Sequence, residues 1–597
     1  MCGIAGWADP ASPFLGGERV VRRMTGILAA RGPDGEGVWS GPRAVLGHRR
    51  LSMPDLEHGH QPMVISDDQD LPVMVLSYSG EVYNHSELRT ELELLGHKFR
   101  TATDSEVVLH AFWEWGTGAA ARLNGMYALA VWDAVRRRLL LVRDRLGVKP
   151  LFYARHGEGV LFASEPKALF ASGLVTPVVD NNGLRDFLTS VRTPGGSLYR
   201  GVREVRPGTM LVVDVTGVRE HRYWALEARP HNDDLPTTVD RTRDLLSDIA
   251  HRHVDADVPL GALLSGGLDS SVLAALGQRA TAGALRTFSV GFTGKFVPDD
   301  LRATSDAPYV REMAEHCGLD HRDLRLDPAA LSDPANRAAV VAARDAPAIG
   351  DMDVSLYLLL GAVREHVTVA LSGEGADEVF GGYPWFHESG TLAGGDYPWR
   401  YFAGRSGTYQ ALLRKEAVVG LGLAQHRENH YRQALSEVPL LPGESGVQRR
   451  MREVSHLHLT RWLPDLLDRK DRLSMAVGLE VRVPFCDHRL VEYAFNTPWA
   501  YHTFDGREKS SLRAATADLL PSTVADRVKA PYPVTQDPAY DTAIREQARD
   551  LLATPSAPVW SYLDPRRVGD RLDRPETGRA TRAGLDFVLN LDLWLRR

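Results

Sequence analysis

Apolar and polar positions divide the chain into two regimes. Up to about residue 215 the apolar runs are short, β-branched and bounded by Gly, Asp and Asn. Residues 73–78, 126–132 and 139–143 are predicted strands on that pattern. Helical spacing interleaves them at residues 17–30 and 86–95. The polar, Pro-bearing stretch 227–236 reads as a linker. Beyond it, residues 237–253 have a helical period and 259–264 form a short apolar strand. Further strands are predicted at 287–292 and 367–371, with helices between them. Short buried strands alternating with helices predict a parallel, doubly wound sheet. From about residue 400 the pattern is mostly helical, and Trp560, Phe587 and Trp594 near its end are expected to pack in a core. The expected fold class is α/β, in two domains, 1–215 and 237–597.

Composition narrows the function classes. The 597 residues are 44% hydrophobic and 25% charged, which excludes wholesale disorder and fibrous repeats. The 70 basic and 77 acidic residues give a net charge of −7, so charge supplies no reason to expect nucleic acid or an anionic membrane as partner. There is no apolar run of the roughly 18 residues a membrane span needs, and the first residues lack a signal-peptide pattern. Cys2, Cys317 and Cys486 are too scattered for a disulfide framework or a structural zinc site. A cytoplasmic enzyme is expected, with a homodimer reasonable for its size.

Cys2 is the first chemical candidate. Removal of Met1 leaves a free α-amine beside the thiol, and such an amine, with a pKa of about 7.7–8.0, is partly unprotonated near neutral pH. It can take the thiol proton, as in other N-terminal nucleophiles. After Cys2 come Arg31-Gly32-Pro33-Asp34, His48-Arg49-Arg50-Leu51-Ser52, Ser79-Gly80-Glu81-Val82-Tyr83-Asn84-His85 and Thr103-Asp104-Ser105-Glu106, in that order. The segments Arg143 to Tyr153 and Ala163 to Leu169 continue the series. Together they resemble the glutamine amidotransferase domain of the N-terminal-nucleophile (Ntn) class, an α/β/β/α sandwich. An arginine suits the α-carboxylate of glutamine and carboxylates suit its α-ammonium. The resemblance implies Arg50 in the first role, and Glu81 and Asp104 in the second. The family usually has Asn-Gly as its oxyanion hole where this chain has Ser79-Gly80. The resemblance then implies a slower glutaminase, or one tuned to another γ-glutamyl donor, with Asn84 contributing.

The second candidate is Ser265-Gly266-Gly267-Leu268-Asp269-Ser270-Ser271, between an apolar strand and a helix. Glycines and exposed N–H groups at a helix start cradle phosphate. The Walker lysine pattern is absent. The alternative is a PP-loop similar to that of ATP pyrophosphatases, in which Asp269 would hold Mg²⁺. The turn Ser372-Gly373-Glu374-Gly375-Ala376-Asp377-Glu378 carries further carboxylates, Asp377 among them, able to hold Mg²⁺ and orient an amine. Lys470-Asp471-Arg472, Gly478 to Asp487, Lys509-Ser510-Ser511 and Arg527-Val528-Lys529 follow. The chain has eight lysines, and five of them lie in the motifs of the two halves, Lys149 and Lys167 in the first and Lys470, Lys509 and Lys529 in the second.

In this order the motifs resemble the glutamine-hydrolysing asparagine synthetase family over about residues 1–530. The resemblance implies a C-terminal ATP pyrophosphatase-like domain with added helices. It implies glutamine hydrolysis at Cys2, adenylation of a carboxylate with release of pyrophosphate, and transfer of ammonia through an internal tunnel. It further implies ATP contacts from Leu263, Val290, Ser372 and Gly373, orientation of the acyl-adenylate by Glu374, and phosphate stabilisation by Lys529 and Lys470. Aspartate is the default acceptor. However, residues 347–355 carry Asp351 and Asp353 and no basic residue, which predicts repulsion of a dicarboxylate unless Arg482 or another distant residue compensates. A larger natural-product acid is the alternative on this ground. A glutaminase or regulatory protein with a degenerate synthetase half is disfavoured by the intact loops. A tRNA-modifying enzyme is disfavoured by charge, and a β-lactam synthetase-like cyclase by Cys2.

Overall fold

The computed structural model describes residues 2–51, 59–256, 258–293, 296–298, 304–401, 404–574 and 579–597. Ser52 of the motif above lies outside them. The N-terminal strands are β1 (Gly3–Ala8), β2 (Gly35–Ser40), β3 (Ala44–Arg50), β4 (Met63–Ser66), β5 (Pro72–Val82) and β6 (Gly125–Asp133). They continue with β7 (Arg138–Arg143), β8 (Phe152–His156), β9 (Gly159–Ala163), β10 (Val202–Glu204), β11 (Thr209–Asp214) and β12 (Gly217–Arg222). Two antiparallel sheets result, ordered β10-β8-β9-β1-β3-β2 and β12-β11-β7-β6-β5-β4.

Because successive strand residues face opposite ways, each sheet buries two apolar faces. Ile4, Leu46, Val75, Ala130, Leu141 and Leu211 fill the space between the sheets. On the outer face of the first sheet, Val21 and Met24 of the helix Gly17–Ile27 pack against Ala5 and Val45. Gly47 lets that helix sit close, since a Cβ there would lie 2.6 Å from Val21 Cγ1. Val108 and Phe112 of the helix Asp104–Trp115 cover the second sheet. The unit is an α/β/β/α sandwich, as expected. Cys2 immediately precedes β1, which lies between β9 and β3, so the chain start is held mid-sheet.

Residues 227–234 carry no regular structure, but the helix begins at Leu235, inside the expected linker, and runs to Val254. Asp234 caps it by accepting from Thr237 N, and Pro236 sits in the first turn, where its missing N–H leaves no helical bond unmade. The following sheet contains β13 (Leu260–Leu263), β14 (Arg286–Phe292), β15 (Asp320–Leu326), β16 (Val369–Leu371) and β17 (Glu480–Arg482). All are parallel, in the order β15-β14-β13-β16-β17. The order runs outward both ways from β13. In such sheets a crevice opens beyond the strand ends where the order reverses, here between β13 and β16. The loops bearing Ser265 and Ser372 leave those two ends. Trp560, Phe587 and Trp594 are buried in the C-terminal core, and among the described residues no helix is long and apolar enough to cross a membrane.

Candidate active sites

The thiol pocket is built on the start of β1 and the end of β5. The Cys2 carbonyl accepts hydrogen bonds from Arg31 Nε at 3.3 Å and from Ser79 Oγ at 2.7 Å. Burial pushes the Cys2 thiol above its ordinary pKa, opposed by a hydrogen bond with the Leu51 backbone. At Gly80 a Cβ would fall 2.3 Å from the Met126 carbonyl oxygen, so close β5–β6 pairing requires glycine. Burial, then the Glu480 carboxylate, pushes Glu81 up to about 8, and Arg482 Nη2 lies 3.5 Å from it. Asp104, raised by burial, accepts from the Tyr78 hydroxyl at 2.6 Å and from Val82 N at 3.0 Å. Arg50 closes β3 and is half-buried opposite Gly35.

Two expected contributors are already engaged. The Ser79 hydroxyl donates to the Cys2 carbonyl oxygen and so fixes the backbone at Cys2. Asn84 donates its amide to Arg122 O at 2.9 Å and accepts from Asn124 N at 2.8 Å, so the 122–124 loop holds both ends of its side chain.

The phosphate-loop pocket lies at the predicted crevice, a cavity of about 220 Å³. Leu263, Ser265, Gly267, Asp269 and Ser270 line it from the β13 loop, with Val290 from β14, and Ser372, Gly373, Glu374 and Asp377 from the β16 side. The loop is held by Ser270, whose hydroxyl lies 3.0 Å from Ser265 Oγ and donates to Gly267 O at 3.2 Å. Gly266 adopts φ +64°, and a Cβ there would lie 2.7 Å from Tyr309 Cβ. Neither Gly266 nor Ser271 lines the cavity. Ser271 is wholly buried in the helix Leu268–Ala280.

Two carboxylates and two ammonium groups cross the pocket. Lys509 Nζ lies 2.6 Å from Asp269 Oδ1 and 2.5 Å from Asp377 Oδ1. Lys529 Nζ lies 2.5 Å from Asp377 Oδ2 and 3.5 Å from Asp269 Oδ2. Despite burial, these lysines hold Asp377 down at about 2, and its carboxylate, with that of Asp269, raises Lys529. Lys470 Nζ meets Glu374 Oε2 at 3.1 Å. Glu378, raised to about 8 by burial and by Asp377, accepts from the Tyr383 hydroxyl at 2.5 Å. Cys486 packs against Gly375, its sulfur 3.9 Å from the Glu374 carbonyl oxygen.

Sequence reasoning left Lys509 and Arg527 without a site role. Lys509 has φ +56°, a strained conformation for a residue with a Cβ, and such strain concentrates at functional sites. Its one advance signal was lysine scarcity. Arg527 donates to Ser265 O at 3.0 Å and pairs with Asp306 at 2.5 Å.

Other motif residues prove to join the two units. Asp471 takes Arg31 Nη1 at 2.7 Å and Lys149 Nζ at 3.1 Å, all three buried. Glu165, which takes Arg31 at 3.1 Å and Lys167 at 2.6 Å, meets Arg472 of the second unit at 3.5 Å. Arg482 ties the two pockets together. Its backbone oxygen accepts from Ser372 N at 2.9 Å, while its side chain meets Glu480 at 2.7 Å and Glu81 at 3.5 Å.

Two expectations about the acceptor region are corrected. Asp351 and Asp353 do not stand without cations: Arg582 meets Asp351 at 2.7 Å, and Arg344 meets Asp353 at 2.6 Å with Arg469 at 3.8 Å. These arginines come from outside the 347–355 stretch or sit just before it, so that stretch alone did not show them. Arg482 faces the thiol pocket and compensates nothing in the acceptor region.

Comparison with known proteins agrees with both halves. A model of the asparagine synthase family matches residues 241–596, and one of a glutamine amidotransferase domain matches residues 1–224. Asparagine synthetase [glutamine-hydrolyzing] 3 of Bacillus subtilis (strain 168) is 37% identical, over 96% of this chain and 93% of its own. Amidase chry2 of Gibberella zeae is 28% identical, over 89% and 88%. Among solved structures, glutamine phosphoribosylpyrophosphate amidotransferase from B. subtilis matches 47% of this chain and 64% of its own, at 18% identity and a TM-score of 0.30. On its sequence match to these families and relatives, this chain belongs to the glutamine-hydrolysing asparagine synthetase family.

Proposed function

We propose that residues 1–215 hydrolyse glutamine and residues 237–597 use ATP to amidate a carboxylic acid, forming AMP and pyrophosphate. The observation that carries this reading is the Asp269–Lys509–Asp377–Lys529 quartet across a glycine-rich loop at the sheet's switch point. With Met1 removed, the Cys2 sulfur attacks the glutamine carboxamide carbon. A thioester forms and ammonia leaves with the thiol's proton; water then hydrolyses the thioester to glutamate. Arg50 grips the substrate carboxylate, and Glu81 with Asp104 its ammonium. Gly80 N–H donates to the oxyanion, and Ser79 and Asn84 act by holding Cys2 and the 122–124 loop.

In the second pocket an oxygen of the acceptor carboxylate attacks the α-phosphorus of ATP, and the bond to the bridging β-phosphate oxygen breaks. Lys529 and Lys509 oppose the charge building on pyrophosphate, the electrostatic effect that is usually largest in catalysis. Asp269 and Asp377 share one ammonium nitrogen, so their oxygens are spaced to share one hard cation, and they fit Mg²⁺. Bound there, Mg²⁺ would neutralise phosphate charge. Ammonia then attacks the acyl carbon, Glu374 takes a proton, and AMP departs. Transfer inside the protein would keep ammonia from becoming ammonium, which has no lone pair to attack.

The names of the relatives make aspartate the default acceptor. The engaged Ser79 hydroxyl favours a second reading at the first site, a slow glutaminase or one tuned to another γ-glutamyl donor. The test is Cys2→Ala: glutamine-supported turnover falls about 10⁴-fold or more, while ammonium-supported amide formation continues. Unchanged glutamine-supported turnover would end the proposal.

A further inference from the structure

The two units also meet through a side-chain cluster that neither active site uses. Asp186, on the helix Asn181–Thr189, faces His426 and His430 on the helix Leu423–Ser436. Among the described residues these are the one group of three His, Cys, Asp or Glu side chains whose ligand atoms all lie within 4.8 Å of one another. The histidines stand four residues apart, so one helix face presents both, and their ring centroids are 4.3 Å apart. His426 Nε2 lies 2.6 Å from Asp186 Oδ1, and the two side chains are only 8% and 15% exposed.

The cluster is supported from outside. Thr193 N donates to Asp186 Oδ2 at 3.0 Å, and Thr193 Oγ1 lies 3.3 Å from a ring nitrogen of His430, Nδ1. One residue thus orients both the carboxylate and the second imidazole, the kind of outer contact that fixes metal ligands. Two imidazoles and a carboxylate form a donor set that Zn²⁺ takes tetrahedrally, with water able to fill the fourth position. The positive charge of Arg461, which acts on His430, is balanced by Glu437 at 2.6 Å.

We infer that Asp186, His426 and His430 form a Zn²⁺ site that staples the N-terminal unit to the C-terminal one. The ion takes the place of the proton that His426 donates to Asp186, and that proton leaves to solvent. Asp186 and Thr193 also line a cavity of about 1040 Å³, which shares Glu374 and Lys529 with the phosphate-loop pocket. The ion therefore fixes one wall of the space beside that pocket. This site stands apart from the ligase reading, and neither depends on the other.

Zinc content and affinity of the untagged full chain test it, in a Cys2→Ala background that removes the first-site thiol as a competing ligand. After loading with zinc and dialysis against metal-free buffer, elemental mass spectrometry is expected to find one zinc per chain. Competition with a chromophoric chelator should give a Kd tighter than about 1 µM. Asp186→Asn and His430→Ala should each weaken binding about 100-fold or more, and Thr193→Val about tenfold. Circular dichroism identifies the variants that fold. Added zinc should raise the unfolding temperature of the parent but not of His430→Ala. Weaker binding in the parent, or equal binding in the parent and a folded Asp186→Asn or His430→Ala variant, overturns the inference and leaves an Asp186–His426 ion pair alone.

Discussion

The thiol pocket and the phosphate-loop pocket bury carboxylates to similar extents and treat them in opposite ways. Glu81 is pushed up to about 8, whereas Asp377 is held near 2. Burial raises both, so the difference lies in the partners. Arg482 is 3.5 Å from Glu81 but 2.7 Å from Glu480, which claims most of its charge. Asp377 has two ammonium groups at 2.5 Å. One pocket is short of positive charge and suited to receive a substrate ammonium. The other holds its lysines neutralised by two carboxylates, and on the proposed function these lysines turn toward phosphate. The number of cations per buried carboxylate sets the task of each site.

Breaking the joint between the pockets should have the largest effect. Asp471→Ala leaves the buried Lys149 without its carboxylate and Arg31 with Glu165 alone, and breaking such a pair costs about 3–5 kcal/mol. Thermal unfolding should show the two units separating at lower temperature, and ammonia should escape to the medium in a glutamine-fed assay. Retention of both wild-type melting and tight coupling would remove Asp471 from the account.

Lys509→Ala removes one of the two cations balancing Asp269 and Asp377. Pyrophosphate–ATP exchange should fall about 100–1,000-fold, the size of a lost transition-state donor, with glutaminase turnover as the control for folding. A loss of tenfold or less would assign Lys509 a structural role.

Glu81 sharpens the comparison through pH. Only its ionised form attracts the glutamine ammonium, so kcat/KM for glutamine should rise with pH up to about 8. Glu81→Gln should flatten that limb and raise KM for glutamine about tenfold, the worth of a charge-assisted hydrogen bond. A limb unmoved by the substitution would place the titration elsewhere.

The smallest change is expected at Ser79. Its bond to the Cys2 carbonyl is worth about 1 kcal/mol, so Ser79→Ala should slow glutamine hydrolysis roughly fivefold. A loss of 100-fold would make the hydroxyl an oxyanion donor after all.

How much of this was legible beforehand follows from the kind of signal each residue leaves. The strands predicted at 73–78 and 126–132 appear within β5 and β6 because both bury apolar side chains. β15, Asp-His-Arg-Asp-Leu-Arg-Leu, went unread because an edge strand exposes its polar side chains. β17 went unread because Glu480 and Arg482 are buried as a pair, which hides any apolar alternation. The phosphate loop could be read because its chemistry is local, seven consecutive residues, 265–271, from strand to helix. The cations at Asp351 and Asp353, the roles of Lys149 and Asp471, and the engagement of Ser79 could not. Each depends on a partner far along the chain, up to 440 residues for Arg31 and Asp471.

Phosphorus NMR of the products formed from ATP, Mg²⁺, glutamine and an accepted acid tests the central claim most directly. AMP and pyrophosphate in equal amounts are predicted, because the quartet and loop support departure of pyrophosphate from the α-phosphorus. ADP with inorganic phosphate would contradict it.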